Sequence, residues 1–333
     1  MKALLLKAPR QLELTDLPRP ELLPGQVRVR VHKVGICGSD YSSIAGKLPF
    51  TRFPIVVGHE ASGQVLEAAE GVTWKPGERV LIHPILCRRD DPVFAEGQVH
   101  HSESTEVLGV VSRNGAYAEE VVVEDYMLRA TPDELDDESA AMVEPVAVAL
   151  RALERGSLRH GDRVLVFGAG NIGLLLIQVA RALGASRVVV TDIVPAKLEL
   201  ARKLGVDEAL DVRDGFPAPR FEKQFDVVID GLANEESLRH ALTACARGAR
   251  IVVYGVPPGD ITFALKVAFS KDVALATSRL YGADFELAME LAASGRVRLK
   301  EIITHRVSLE QAPALIARIL DGAEPAIKVM ISP

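Results

Sequence analysis

The stretch Arg163–Gln178, RVLVFGAGNIGLLLIQ, decides the fold of this chain. Arg163–Phe167 is a short apolar run of strand type, and Ile172–Leu183 continues as a helical pattern closed by Gly184. Between them Gly168, Ala169, Gly170, Asn171, Ile172 and Gly173 spell G-x-G-x-x-G. Alone such a turn is a weak signal, but strand, glycine turn and helix in succession are the context in which it binds a dinucleotide. Gly168 permits the tight turn, Gly170 the approach of backbone to a pyrophosphate, and Gly173 the close packing of helix on strand. The free N–H groups at the helix start then face the anion.

The next strand, Arg187–Thr191, runs into Asp192, 19 residues past Gly173. A carboxylate there accepts hydrogen bonds from ribose hydroxyls and repels a 2′-phosphate, so NAD is expected over NADP. Lys197, five residues further on, either reaches the ribose or is an ordinary solvated helix lysine. Downstream the alternation continues. Pro195–Leu204 reads as a helix with proline near its start and Gly205 past its end. Asp226–Ile229, Arg250–Tyr254 and Asp272–Ala276 read as strands, and Asn234–Arg247 as a helix with an asparagine cap. This spacing predicts a doubly wound parallel sheet covered on both faces.

Upstream of residue 145 the texture differs. Val27–His32 alternates apolar and polar, and short strand runs recur at Val56-Val57, Gly63–Leu66, Arg79–Ile82 and Tyr117–Val123, with Gly and Pro in the turns between. That pattern predicts an antiparallel, barrel-like β domain. Near the C-terminus, Ala283–Ser294 reads as a helix, Ser308–Gln311 as a capping box opening another, and Ile327–Ile331 as a final strand. The expected class is α/β, with one domain at 1–145 plus 281–333 and a Rossmann domain at 146–280.

Composition narrows the function. The chain has 333 residues, enough for two domains at roughly 150 residues each. With 48% apolar and 25% charged residues and a net charge of -6, it lacks the basic face expected of a nucleic-acid or anionic-membrane partner. The N-terminus has no signal-peptide pattern and no apolar run reaches a membrane span. The three cysteines, Cys37, Cys87 and Cys245, form no disulfide framework, so a reducing cytoplasm is expected.

Zinc-type ligands concentrate in three segments: Gly35–Asp40 with Cys37, Gly58-His59-Glu60, and Glu144-Pro145. A catalytic zinc takes about three protein ligands and keeps one position open. Their separations in sequence do not by themselves choose among these residues.

Together, GICGSD at 35–40, PIVVGHEASGQV at 54–65, VEPVAVALRAL at 143–153, and GAGNIG with Asp192 resemble the zinc-dependent medium-chain dehydrogenases, most closely the sorbitol, polyol and sugar-acid subgroup. Ser278–Gly282, Thr304–Arg306 and Lys328–Met330 resemble that subgroup as well. The resemblance implies a GroES-like catalytic domain beside the Rossmann domain, with the active site where the two meet. It implies that Cys37 and His59 bind one catalytic zinc per chain, and that Glu144 or Glu60 completes the set. It implies that Asp40 supports the zinc histidine, that Ser39 takes the proton of the substrate alcohol, that Arg279 lies near the metal, and that hydride passes to NAD. The expected substrate is a secondary alcohol on a polyol or sugar-derived acid. L-threonine 3-dehydrogenase, a general secondary alcohol dehydrogenase and a non-enzymatic cofactor-binding protein are the alternatives. A homodimer or homotetramer is expected. Two departures stand out. Where many members carry a relay histidine this chain has Ser42, so the proton route through Ser42, the ribose or water stays open. Of a four-cysteine structural zinc lobe only Cys87 remains, with Asp90 and His101 nearby in sequence.

Overall fold

The computed structural model describes residues 1–333 and divides into two compact units, Met1–Glu144 with Leu299–Pro333, and Pro145–Arg298. The first is a β-rich unit. β1 (Lys2–Ala8) pairs antiparallel with β2 (Gln11–Asp16) and with β4 (Ile55–Val56). The central strand is β3 (Gln26–Gly35), which pairs antiparallel with β5 (Glu60–Ala68). β5 carries β6 (Arg79–Ile82), and β7 (Ile85–Leu86) forms a small ribbon with β8 (Glu106–Val107). β9 (Glu120–Glu124) also pairs with β3, and β10 (Leu128–Ala130) closes on β6. The alternation read at Val27–His32 is only partly one-sided. Val27, Arg28 and Val29 are all buried, because β9 and β5 both flank this strand. Val29, Val31, Val65, Val80 and Val121 meet in one apolar core, each such burial contributing roughly 1.5–3 kcal/mol.

The second unit holds a six-stranded parallel sheet. Its strands are β11 (Arg163–Phe167), β12 (Arg187–Asp192), β13 (Glu208–Asp211), β14 (Phe225–Asp230), β15 (Cys245–Val253) and β16 (Ala274–Thr277). The order is β13-β12-β11-β14-β15-β16, the doubly wound arrangement, with its switch point between β11 and β14. Val164, Leu165 and Val166 are fully buried, as a strand covered on both faces requires.

The chain then returns to the first unit. β17 (Ile303–Ser308) and β18 (Lys328–Ser332) pair in parallel, and β18 lies antiparallel to β3. The C-terminal thirty-odd residues therefore complete the first unit's main sheet.

Several boundaries differ from the sequence reading. The division falls at Leu299 rather than 281. The helix Asp284–Ala293 belongs to the second unit, where Arg298 N–H donates to Gln178 Oε1 (2.7 Å) and the Arg298 guanidinium to Lys203 O (2.6 Å). The Asn234-capped helix ends at Ala244 because Cys245 already pairs in register with Phe225. Asp272 is not in a strand. It is a left-handed cap (φ 57°) on the helix Leu265–Lys271, and β16 starts two residues later. The C-terminal helix opens at Ala312, and Ser308 ends β17. Only the reach-back half of the expected capping box forms, Ser308 N–H to Gln311 Oε1 (3.1 Å).

Candidate active site

Cys37 caps the short helix Gly38–Ile44, and its N–H donates to Asp40 Oδ2 (2.9 Å) in the next turn. The same oxygen accepts from the Tyr117 hydroxyl (2.8 Å). Tyr117 can reach this far because residue 58 is glycine. Gly58 has φ +99°, and a Cβ there would sit 2.2 Å from the Tyr117 ring. The chain turns at Gly58 straight into His59, whose Nδ1 lies 3.5 Å from Asp40 Oδ1, leaving Nε2 as the outward ring nitrogen. Asp40 thus fixes the helix start and faces the imidazole at once, the arrangement that orients a metal-binding histidine.

Electrostatics follow from this burial. Burial works to raise the Asp40 carboxyl, but His59 and the donors from Cys37 and Tyr117 outweigh it and lower its pKa. Burial works to lower His59, and Asp40 and Cys37 outweigh it, so its pKa stands well above the ordinary histidine value. The Tyr117 phenol is pushed well up, first by burial and then by Asp40.

Glu60 begins β5 opposite Gly35 on β3. A Cβ on Gly35 would lie 2.2 Å from Glu60 Oε2, so the glycine makes the lane in which this carboxylate lies. The lane ends at Lys328 of β18. Its side chain is completely buried, and Nζ donates to Glu60 Oε2 and to Ile36 O (3.1 Å).

Cys37, His59 and Glu60 thereby bring a sulfur, a ring nitrogen and a carboxylate oxygen within 4.8 Å of one another. His59 Nδ1, Asp40 Oδ1 and Glu60 Oε1 are buried without a hydrogen-bond partner. His59 Nδ1 and Asp40 Oδ1 face each other, whereas Glu60 Oε1, on a mixed S, N and O set, is the kind of orphaned acceptor that a zinc ion satisfies. The donor set fits zinc.

The other expected residues are placed as follows. Glu144 is buried at the start of the helix Val143–Arg155 and is not a member of the Cys37, His59, Glu60 group. Ser39 lies in the helix between Cys37 and Asp40, half-buried, with no hydrogen bond on its hydroxyl. Ser42 Oγ is turned back onto Gly38 O (3.1 Å). Arg279 is exposed just past β16. Cys87, Asp90 and His101 do not form a ligand group. The Cys87 thiol donates to Arg88 O (3.5 Å), Asp90 pairs with Arg88 (2.9 and 2.5 Å), and the Tyr126 hydroxyl clasps the backbone of Cys87.

In the second unit the glycine turn has the geometry its sequence suggests. Gly168 has φ +98°, and a Cβ on Gly173 would fall 1.9 Å from Gly168 O. A Cβ on Gly170 would meet nothing within 4 Å, so the helix start opens on free space. Asn171 and Ile172 form the first turn of the helix Asn171–Ala182, and Asn171 Oδ1 is buried without a partner. Asp192 stitches this turn to its strand: Oδ2 accepts from Ala169 N–H (2.8 Å) and Oδ1 from Val194 N–H (2.9 Å). Lys197 Nζ is 4.0 Å from Asp192 Oδ2. A free helix N-terminus, an orphan acceptor and a carboxylate at the next strand end fit a dinucleotide.

Comparison with known proteins agrees with both halves. The family model "Alcohol dehydrogenase GroES-like domain" matches residues 23–133, and "Zinc-binding dehydrogenase" matches residues 171–294. Human sorbitol dehydrogenase is 32% identical over 323 residues, 93% of this chain and 90% of its own length. Sorbitol dehydrogenase of Bacillus subtilis is 28% identical over 345 residues, 100% of this chain and 97% of its own. The chain belongs to the zinc-binding alcohol dehydrogenase family. Among solved structures, an alcohol dehydrogenase of Escherichia coli CFT073 complexed with NADH superposes with a TM-score of 0.93 at 28% identity, covering 100% of this chain and 99% of that one. This chain is accordingly a zinc- and nicotinamide-dependent oxidoreductase with a GroES-like domain and a Rossmann sheet.

Sequence reasoning quoted Gly35 and Lys328 within family-like segments but gave neither them nor Tyr117 a part beside Cys37, His59 and Glu60. Lys328 carried a further signal, a lysine inside the apolar run IKVMI, where a charge is costly unless paired.

Proposed function

We propose that this dehydrogenase oxidises a secondary alcohol on a polyol or sugar-derived acid, with NAD as hydride acceptor. The observation that carries the reading is the grouping of half-buried Cys37 with buried His59 and Glu60, with Glu60 Oε1 left without a hydrogen-bond partner. Cys37 and His59 would hold zinc, with Glu60 Oε1 as the third donor and Glu144 as the alternative. Bound zinc supplies Lewis acidity toward an alcohol oxygen, and the nicotinamide supplies the hydride acceptor.

The remaining work falls to the chain. Asp40 holds the His59 ring and its tautomer. Ser39, with its hydroxyl unbonded, would take the proton of the substrate hydroxyl while giving its own proton to solvent water. Glu60 and Lys328 keep the floor of the site charge-balanced. Asp192 receives the adenosine ribose and disfavours a 2′-phosphate, with Lys197 beside it. A substrate with several hydroxyls needs polar partners once water is excluded, and Ser39, Ser42, Glu144 and Arg279 are the candidates. The names of the sorbitol dehydrogenase relatives support a polyol.

The assembly we propose is a homodimer or homotetramer. β16 is an edge strand, and on the helix that precedes it in sequence Leu265 is 71% and Phe269 87% exposed, apolar surface that a second copy would cover. No helix is long and apolar enough to cross a membrane. All three cysteines are free, and the metal-binding role given to Cys37 needs a reduced thiol, which favours the cytoplasm.

The test is NAD reduction by zinc-loaded protein across sorbitol, xylitol, aldonates, threonine and ethanol. A polyol or aldonate should give the highest kcat/KM. Ethanol ahead of every polyol would sink the assignment, and threonine as best substrate would replace it.

A further inference from the structure

Tyr254 follows β15 directly at the carboxyl edge of the parallel sheet, and its N–H donates to Asp230 O (3.0 Å) at the end of β14. Its side chain lies against Gly231, where a Cβ would sit 2.3 Å from the phenolic oxygen. Gly255 closes the same corner, since its Cβ would fall 2.4 Å from Gly231 O. The two strand ends are therefore glycine-lined so that a phenol can lie between them. Burial pushes this phenol well above the ordinary tyrosine value, and Asp230 and Asp192 add to the shift. The hydroxyl makes no hydrogen bond within the protein. Tyr254 is half-buried, so this hydroxyl is still open to a partner from outside the protein, the polar handle a largely covered tyrosine offers.

The part of a bound cofactor that this corner would meet follows from the sheet order. Asp192 ends β12, the glycine turn follows β11, and β14 and β15 lie on the opposite side of β11 from β12. Neighbouring strands are about 4.8 Å apart. A dinucleotide with its adenosine ribose on Asp192 and its pyrophosphate on the turn after β11 must carry its second ribose over the ends of β14 and β15. Leu232 ties the two regions together, since a Cβ at Gly168 would be 3.8 Å from Leu232 Cδ2, one residue from the glycine that Tyr254 covers. We infer that the Tyr254 hydroxyl donates a hydrogen bond to the ribose of the nicotinamide half of the bound cofactor. This rests on the dinucleotide reading of the glycine turn and Asp192.

A phenol that only fills space over Gly231 would behave differently from one that bonds the cofactor. Tyr254→Phe keeps the ring and removes the hydroxyl. The measurement is fluorescence titration of metal-loaded protein with NADH, and with ADP by competition, beside the thermal midpoint of the ligand-free protein. We expect NADH to bind about fivefold more weakly, as loss of one hydrogen bond implies, with ADP binding and the thermal midpoint unchanged. NADH affinity within twofold of wild type overturns the inference. An equal loss for ADP overturns it too, because the contact would then lie on the adenylate side. If wild-type protein binds neither NADH nor ADP, the dinucleotide reading itself fails, an outcome distinct from the other two.

Discussion

Lys328→Met tests the buried ion pair under the metal group. In the wild type the Lys328 side chain has no solvent exposure, and Glu60 Oε2 has the ammonium as its side-chain partner while Oε1 has none. Methionine fills similar volume but leaves a buried carboxylate with no counter-charge. Breaking a buried pair from one side costs roughly 3–5 kcal/mol, and the bond to Ile36 O is lost with it. At about 2–4 °C per kcal/mol for a unit of this size, the thermal midpoint of the metal-free protein should fall on the order of 10 °C. Calorimetry in chelator reads this directly. Lys328→Met/Glu60→Gln removes both charges and should recover most of the loss, a coupling that a double-mutant cycle isolates. Zinc restores a positive neighbour to Glu60, so the single variant should gain more from saturating zinc than the wild type does. A loss under about 1 kcal/mol, or no recovery in the double variant, would refute the reasoning.

Three further outcomes are expected. Elemental analysis should find one zinc per chain in the wild type and none firmly held in Cys37→Ala, which should also be inactive; two tightly held zincs per wild-type chain would show that the Cys87 loop binds metal after all. Asp192→Asn should narrow the preference for NAD over NADP, while Asp192→Ala should weaken both cofactors because it also frees Ala169 N–H and Val194 N–H; wild-type protein using NADP as well as NAD would contradict the role of this carboxylate. His83 is buried, and burial, with Arg129 and His100 adding, pulls its pKa to about 3 from an ordinary 6.5. The folded state refuses a proton that the unfolded chain accepts. The stabilisation is thus complete above pH 6.5 and falls as pH drops toward about 3, by up to about 1.4 kcal/mol per pH unit. His83→Gln should lose this component of the slope, and matched pH dependences in variant and wild type between pH 6.5 and 5 would exclude it.

Local sequence determined a great deal. Strand, glycine turn and helix at 163–182 form because apolar run, G-x-G-x-x-G and helical period sit side by side, and Asp192 reaches Ala169 N–H because the next strand is its neighbour. Cys37 and Asp40 are three residues apart, so the helix cap that joins them was within reach of a sequence reading. The alternation of strands and helices in the second unit, and with it a parallel sheet, was legible in the periodicity, while the order of the strands came from the structure. What the tertiary structure decided are pairings that no period encodes. Glu60 finds Lys328 across 268 residues, and Lys328 finds Ile36 across 292, because β18 returns from the far end of the chain to lie beside β3. The folded chain likewise groups Glu60, and not Glu144, with Cys37 and His59. The same holds for Tyr117 on Asp40 and Tyr254 on Gly231, where a glycine in one strand end admits a ring from another. Glycine in a sequence announces that something comes close, and only the folded chain says what.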